Sequence, residues 1–432
     1  MIATFLTLFV LPILYLRFER IGKSRAGKMK STIASIAVLV LISSSMQAQE
    51  IGLQAAIDTA LSNSLRMKNG HLMERYQDIK GKNNFEPTDV FGEYGQINSF
   101  YTDNKLGFQQ RFNMPAVYSK YRAWNTSRYK EMVVSTELTE REIRKTVSEV
   151  FYHWIALKES ESLLLYTDIM LAAFENRAQL RFDAGASDLL EFNSAKLQRE
   201  LANAQLSGIR AEMEITLLEF QLLLNSEIPF SPTLSEGDVA FGMAIDSSLA
   251  VNQSMLGIMQ ARLATAEAES AYQKALLLPT ITIGYTNQSF TGMGPNNVTY
   301  TPADRFHSAN FTLGIPLLRG GQKSNYEASK VQVEIAKVEL EMQRMQLDRE
   351  LRAAFARWRR QRDLIEQYES KQLPAAMQIK QGADEQLNKG AIDYLQWSML
   401  QSQALQIQLD YVLAQEQLRC HAAEIQYYTI QN

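Results

Sequence analysis

Residues 182–192, FDAGASDLLEF, and residues 387–397, LNKGAIDYLQW, read as one motif written twice, 205 positions apart. In each, a helix-forming run meets a glycine, Gly185 or Gly390, and three residues later an aspartate, Asp188 or Asp393, opens a second such run. Glycine supplies the left-handed backbone that lets a helix stop. Asp188-x-x-Glu191 and Asp393-x-x-Gln396 each have the form of a capping box, in which the aspartate accepts from free N–H groups of the returning helix. Each motif is therefore a tight junction between two antiparallel helices. Upstream, Phe112 to Tyr121 aligns with Leu317 to Tyr326 at the same offset. Pro87-Thr88 matches Pro279-Thr280 at an offset of 192, so the second copy holds 13 extra residues, and Thr291 to Asn297 is where a loop is expected.

The repeat sets the organisation of the whole chain. No glycine or proline occurs from Ala116 to Ala184 or from Gln322 to Leu373, where Ala, Leu, Glu, Gln, Lys and Arg dominate. That composition predicts very long helices, the first about 100 Å at ~1.5 Å per residue. Each half then parses alike. A helix (Ile51–Asn83; Asp246–Leu276) ends at Pro-Thr, two extended segments follow, and a long helix runs out and back. The outgoing helices are Ala116–Ala184 and Gln322–Leu387, the latter bent at Pro374, and the returning ones Asp188–Asn225 and Asp393–Tyr428.

The extended segments alternate with period two. Ile281, Ile283 and Tyr285 alternate with Thr280, Thr282 and Thr286; Phe311, Leu313, Ile315 and Leu317 alternate with Asn310, Thr312 and Gly314. Leu106, Phe108, Phe112 and Met114 do the same in the first half, while Asp89–Phe100 is the weakest strand. One apolar and one polar face over about ten residues fits a tilted strand between lipid and water. Four strands cannot close a barrel, and an open sheet in lipid would leave two edges of unpaired backbone groups, so membrane strands here require several copies. Three copies supply twelve.

Lys30 followed by apolar Ile33–Ile42 and small residues to Ala48 has the pattern of a signal peptide, its core too short to span a bilayer. Removing residues 1–48 leaves 38 basic and 46 acidic residues, a net charge of −8. No basic surface argues for nucleic acid, and the one cysteine, Cys420, forms no intramolecular disulfide and no N-terminal lipid anchor. An exported, acidic, cysteine-poor chain suits the periplasm and outer membrane. Met1–Leu16 is a separate apolar segment, and its Thr7–Tyr15, TLFVLPILY, resembles the end of the last transmembrane helix of heavy-metal RND efflux pumps.

Ala60-Leu61-x-Asn63, Leu278-Pro279 before a strand, Ile315-Pro316-Leu317-Leu318-Arg319-Gly320-Gly321 at the strand-to-helix junction, and the Gly-x-x-Asp turns resemble TolC-like outer-membrane efflux proteins over Glu50–Thr429. The other junction, Phe112-Asn113-Met114-Pro115, is similar to the heavy-metal (CusC/CzcC-like) members. The resemblance implies a mainly α fold with a small membrane β-barrel portion: a trimeric α-barrel continued by a 12-stranded β-barrel. It also implies partners: a periplasmic adaptor (membrane fusion protein), an inner-membrane RND pump and outer-membrane lipid. The expected organisation is a pump-like remnant or mis-assigned start (1–28), a signal-peptide-like segment (29–48), a first repeat (49–228), a linker (229–245) and a second repeat (246–432). The expected function is a passive conduit of a tripartite efflux system, exporting heavy-metal cations. Drug efflux and type I protein secretion are the alternatives within this class.

Gly185, Ser187, Asp188, Gly390 and Asp393 are the expected tip and adaptor-docking residues. Asp188 and Asp393 are also gate candidates, because a ring of carboxylates favours cations. Helix capping explains both aspartates without a gate. No catalytic residue, cofactor site or metal site is read: the four histidines (His71, His153, His307, His421) are far apart, and Cys420 and His421 point to different helix faces. Met342 and Met345 are spaced as helix-packing neighbours, and Trp124, Trp154, Trp358 and Trp397 lie on helical runs as packing or interface anchors. A periplasmic adaptor would carry one hairpin with compact β domains, and a coiled-coil scaffold would lack the four alternating strands.

Overall fold

The structure is a computed structural model that describes residues 49–82, 86–226, 228–235, 253–316 and 320–429. The pump-like and signal-peptide-like segments, residues 236–245 of the expected linker and Leu317–Arg319 of the junction motif lie outside the described residues. Two compact units divide the chain, and the larger, Gly52–Asn225 with Pro232–Asn432, holds all the helices and the four long strands of both repeats. In the smaller, β1 (Gln49–Ile51) donates from Gln49 N to Pro229 O (2.9 Å).

The first repeat runs α1 (Leu53–Asn63), α2 (Leu65–Gly81), β2 (Asp89–Gly95), β3 (Asp103–Asn113), α3 (Pro115–Asp183) and α4 (Leu189–Leu224), followed by a short strand β4 (Phe230–Pro232). The second runs α5 (Gln253–Ala275), β5 (Thr280–Ser289), a small hairpin of β6 (Gly292–Met293) and β7 (Thr299–Tyr300), β8 (Arg305–Gly314), α6 (Gly320–Gln367), α7 (Leu373–Asn388) and α8 (Tyr394–Tyr428). Three expectations need correction. The opening helix is two helices, because Ser64 is extended and its hydroxyl accepts from Met67 N, capping α2. The Asp89–Phe100 strand stops at Gly95. The bend at Pro374 is a π turn, Tyr368–Gln372, that precedes the proline and leaves Pro374 in the first turn of α7, where a missing N–H costs nothing.

Four strands form one antiparallel sheet in the order β2-β3-β5-β8. Residues paired across neighbouring strands share a face. The register Val90↔Phe108↔Tyr285↔Ala309, with Phe112↔Ile281↔Leu313 and Ile283↔Phe311, places these apolar residues from all four strands on one face, while Phe91 and Phe306 fall on the other. Phe311 is 71% exposed and Ile283 50%, so that face is uncovered within the chain. The other face carries Gln109↔Gly284↔Asn310 and Arg111↔Thr282↔Thr312, with Lys105 paired to Glu93 (3.3 Å). Gln110 is a polar residue of the same face as Phe108 at the helix end, where it donates to Glu86 O (2.8 Å), and Asn287 and His307, in line with Leu106, are polar residues of that face toward the loop end.

Both strand connections lie at one end of the sheet and all four helix junctions at the other. From the helix end, α2, α3, α5 and α6 pack side by side in the same order as the strands. Farther along, α4, α3, α8 and α7 form the second layer. The core between α6 and α8 is a heptad seam: Leu347, Leu351, Ala354, Trp358 and Ile365 meet Leu418, Ala422 and Ile425. Trp358 is thus a packing residue, as its helical position predicts. Trp124 stacks on Tyr272 (5.4 Å, 17°) and joins α3 to α5.

Candidate functional site

The two duplicated turns close α3 and α7 in the same way. Gly185 (φ +67°) and Gly390 (φ +69°) hold left-handed backbone. Ala186 N donates to Arg181 O (2.8 Å) and Gly185 N to Phe182 O (2.9 Å); Ala391 N donates to Gln386 O (2.9 Å) and Gly390 N to Leu387 O (3.0 Å). This pair of bonds is the Schellman pattern, which satisfies carbonyls at a helix end. A Cβ added at either glycine would meet nothing within 4 Å, so backbone conformation alone selects glycine there.

Asp188 and Asp393 cap the returning helices. Glu191 N donates to Asp188 Oδ1 (2.9 Å) and Gln396 N to Asp393 Oδ1 (2.7 Å). Only the second turn is a complete capping box, with Asp393 N donating back to Gln396 Oε1 (3.3 Å). In the first, the Glu191 carboxylate lies within ion-pair distance of Arg181 Nε (3.4 Å) and does not reach back to the Asp188 N–H. The reciprocal box expected at Asp188 is therefore absent. Ser187, just before the cap, is partly buried, and its hydroxyl has no hydrogen-bond partner among the described residues.

Tertiary packing brings the two tips together. Phe174 of α3 stacks on Tyr394 (4.8 Å) and meets the edge of Trp397 (5.5 Å), both on α8. Trp397 Nε1 and Gln401 Nε2 donate to Asp384 Oδ1 of α7 (2.7 and 2.9 Å), and Arg181 lies over the Tyr394 ring. Beside the caps, Leu180, Leu189, Leu190, Leu395 and Met399 are exposed. Sequence reading passed over them. The signal for three of them is a leucine one or two residues after a capping aspartate, as in Asp188-Leu189-Leu190 and Asp393-Tyr394-Leu395.

Among the described residues no group of three or more His, Cys, Asp or Glu side chains is placed to hold a metal ion. Cys420 is mostly buried, and burial pushes its thiol up to about 12. His153, which the sequence leaves isolated, joins three helices: its Nδ1 is 2.7 Å from Glu416 of α8 and its Nε2 3.8 Å from Glu212 of α4. The Glu416 hydrogen bond raises its pKa above the ordinary imidazole value. The charged form is favoured in the folded chain, so this stabilisation is complete below the unfolded value of ~6.5 and is lost as pH rises through the folded one. His153→Gln should lower the thermal midpoint relative to wild type near pH ~5.5, and the gap should close by pH ~9. An equal gap at both pH values would contradict the assignment.

Residues 244–428 match the family described as Outer membrane efflux protein. No curated protein sequence matches the chain. Among solved structures the chain is similar to the CmeC outer membrane channel of Campylobacter jejuni (13% identity, TM-score 0.72, covering 87% of this chain and 85% of that one). It is likewise similar to CusC (12%, 0.72, 86% and 90%) and to the MtrE outer membrane channel of Neisseria gonorrhoeae (16%, 0.66, 87% and 88%). The fold is that of these channels, and the second repeat carries the family's sequence pattern. The family and these structures are of non-enzymatic channels.

Proposed function

We propose that the chain is one protomer of an outer-membrane efflux channel, in which three copies close a 12-stranded barrel and their helices form a periplasmic tunnel. The observation that carries this reading is the sheet: one apolar, uncovered face and two open edges, β2 and β8. Ten residues of β5 or β8 at ~3.4 Å each, tilted by ~40°, cover about 25 Å, the height of the apolar band of an outer-membrane barrel. The edges run antiparallel to each other, so β8 of one copy can pair with β2 of the next. Two copies would give eight strands, a barrel that side chains fill, and three give twelve with room for a pore.

The channel acts as the passive outer component of a tripartite system, its tips at Gly185, Ser187, Asp188, Gly390 and Asp393 meeting a periplasmic adaptor that connects to an inner-membrane RND pump. The exposed leucines beside the caps supply apolar area for that contact. We assign heavy-metal cations as cargo, on the Pro115 junction and the pump-like residues Thr7–Tyr15. The similarity to CusC is in keeping with this assignment, although CmeC is equally similar in fold. Deleting the gene should sensitise cells to metal salts; sensitivity to organic drugs alone, or loss of a secreted polypeptide, would move the cargo to that class.

Crosslinking in native membranes should give a trimer. The β6–β7 hairpin, at the sheet end opposite the helices, should face the cell exterior. Its turn holds Asn297 at φ +61°, and a peptide tag inserted there should be labelled on intact cells with efflux retained. Labelling only after the outer membrane is broken would reverse the topology.

A further inference from the structure

Resting on the trimer just proposed, we infer that neighbouring copies are joined below the barrel by an ion-paired helical seam, in which Arg359 and Arg360 of α6 meet Glu214 and Glu219 of α4 in the adjacent copy. Each layer of helices ends in one open flank on either side: α2 and then α4 on one, α6 and then α7 on the other. The first flank is continuous, because Asn63 Nδ2 donates to Leu224 O and Asn225 Nδ2 to Asn63 O where α4 meets the α1–α2 break.

The outward face of α6 keeps strict heptad spacing. Val331, Ile335, Val338, Met342 and Met345 are all exposed, opposite the buried Leu347–Ile365 seam. The same spacing runs on through Arg349, Arg352, Ala356 and Arg359, also exposed, so this face changes from apolar to a basic stretch before the acidic Asp363 and Glu366. On α4 the face turned away from α3 shows Ile215, Leu218 and Leu222, 51–79% exposed. Glu214 and Glu219 flank that stripe at the positions where coiled coils place their partner-selecting charges.

Height and charge both match. Arg357 of α6 bonds Glu424 of α8 (2.6 Å), while His153 ties Glu416, two turns nearer the tip, to Glu212 of α4. Glu214 and Glu219 therefore stand level with Arg359 and Arg360. Arg352 is held by Asp348 (3.0 Å). Among the described residues Arg359, Arg360, Glu214 and Glu219 have no ion-pair partner within their own chain. Arginine stems can lie over the α4 leucines while the guanidinium groups reach the glutamates.

The test is a charge swap in the full chain. Arg359→Glu with Arg360→Glu, or Glu214→Arg with Glu219→Arg, should each weaken the detergent-solubilised trimer roughly tenfold, since three seams per trimer turn from attraction to repulsion. The four substitutions together should restore it to within about twofold of wild type. Arg359→Cys with Leu218→Cys should give disulfide-linked oligomers with little background, because Cys420 is mostly buried and its thiol is held up to about 12. A wild-type protein that stays monomeric in membranes would overturn the channel reading itself. A stable wild-type trimer in which the swaps alter ion selectivity but not assembly, or in which the cysteine pair does not link, would overturn the seam alone and place these arginines in the tunnel.

Discussion

Arginine in place of Phe311 or Ile283 is expected to abolish assembly in the outer membrane, while arginine in place of Thr312, the next residue along β8, is expected to leave it intact. The two sites differ only in the face they occupy. Phe311 and Ile283 are paired with each other on the apolar face, and Thr312 is paired with Thr282 on the opposite one. An arginine at the midplane of the lipid face costs about 2–4 kcal/mol per copy, and a trimer carries three, whereas the other face meets water. The measurement is the yield of heat-resistant trimer from outer membranes. Equal yields for Phe311→Arg and Thr312→Arg would mean that the apolar face does not meet lipid.

Gly390→Val is expected to assemble like wild type and to reduce efflux to the level of cells lacking the channel. At φ +69° a β-branched residue strains the backbone by on the order of 1–2 kcal/mol, and with no neighbour within 4 Å there is no clash to add. That is too little to unfold the flanking helices of 16 and 35 residues, packed as they are on the rest of the bundle, yet enough to alter the turn the adaptor must fit. Asp393→Ala removes the carboxylate that accepts from Gln396 N and leaves the Asp393 backbone N–H to Gln396 in place, a loss of about 1 kcal/mol, and should affect local helix stability more than docking. Its single-channel conductance for cations should change only if the carboxylates gate the tunnel. Wild-type adaptor crosslinking and efflux in Gly390→Val would leave the duplicated turn as a structural feature alone.

These expectations draw on two kinds of information. Local chemistry is written in the sequence: the absence of glycine and proline marked α3 to within a residue at each end, and Gly-x-x-Asp marked both turns, because helix propensity, positive φ and capping depend on near neighbours. Period-two alternation likewise identified the strands whose apolar faces the register later joined. The π turn before Pro374, in contrast, lies where a proline alone suggested a simple bend, and position 169, its counterpart in the first repeat, continues as plain helix. Which charges meet was also beyond the sequence. Glu191 turns to Arg181 instead of completing its box, and His153 finds Glu416 at a separation of 263 residues. The two flanks became visible only once the order of helices was known, since an exposed heptad on α6 and a buried one read alike along the chain. Residue type and spacing thus determined the elements and their ends. Partner choice among long helices depended on which faces the fold had already used, a property of the assembled packing that no local run of residues contains.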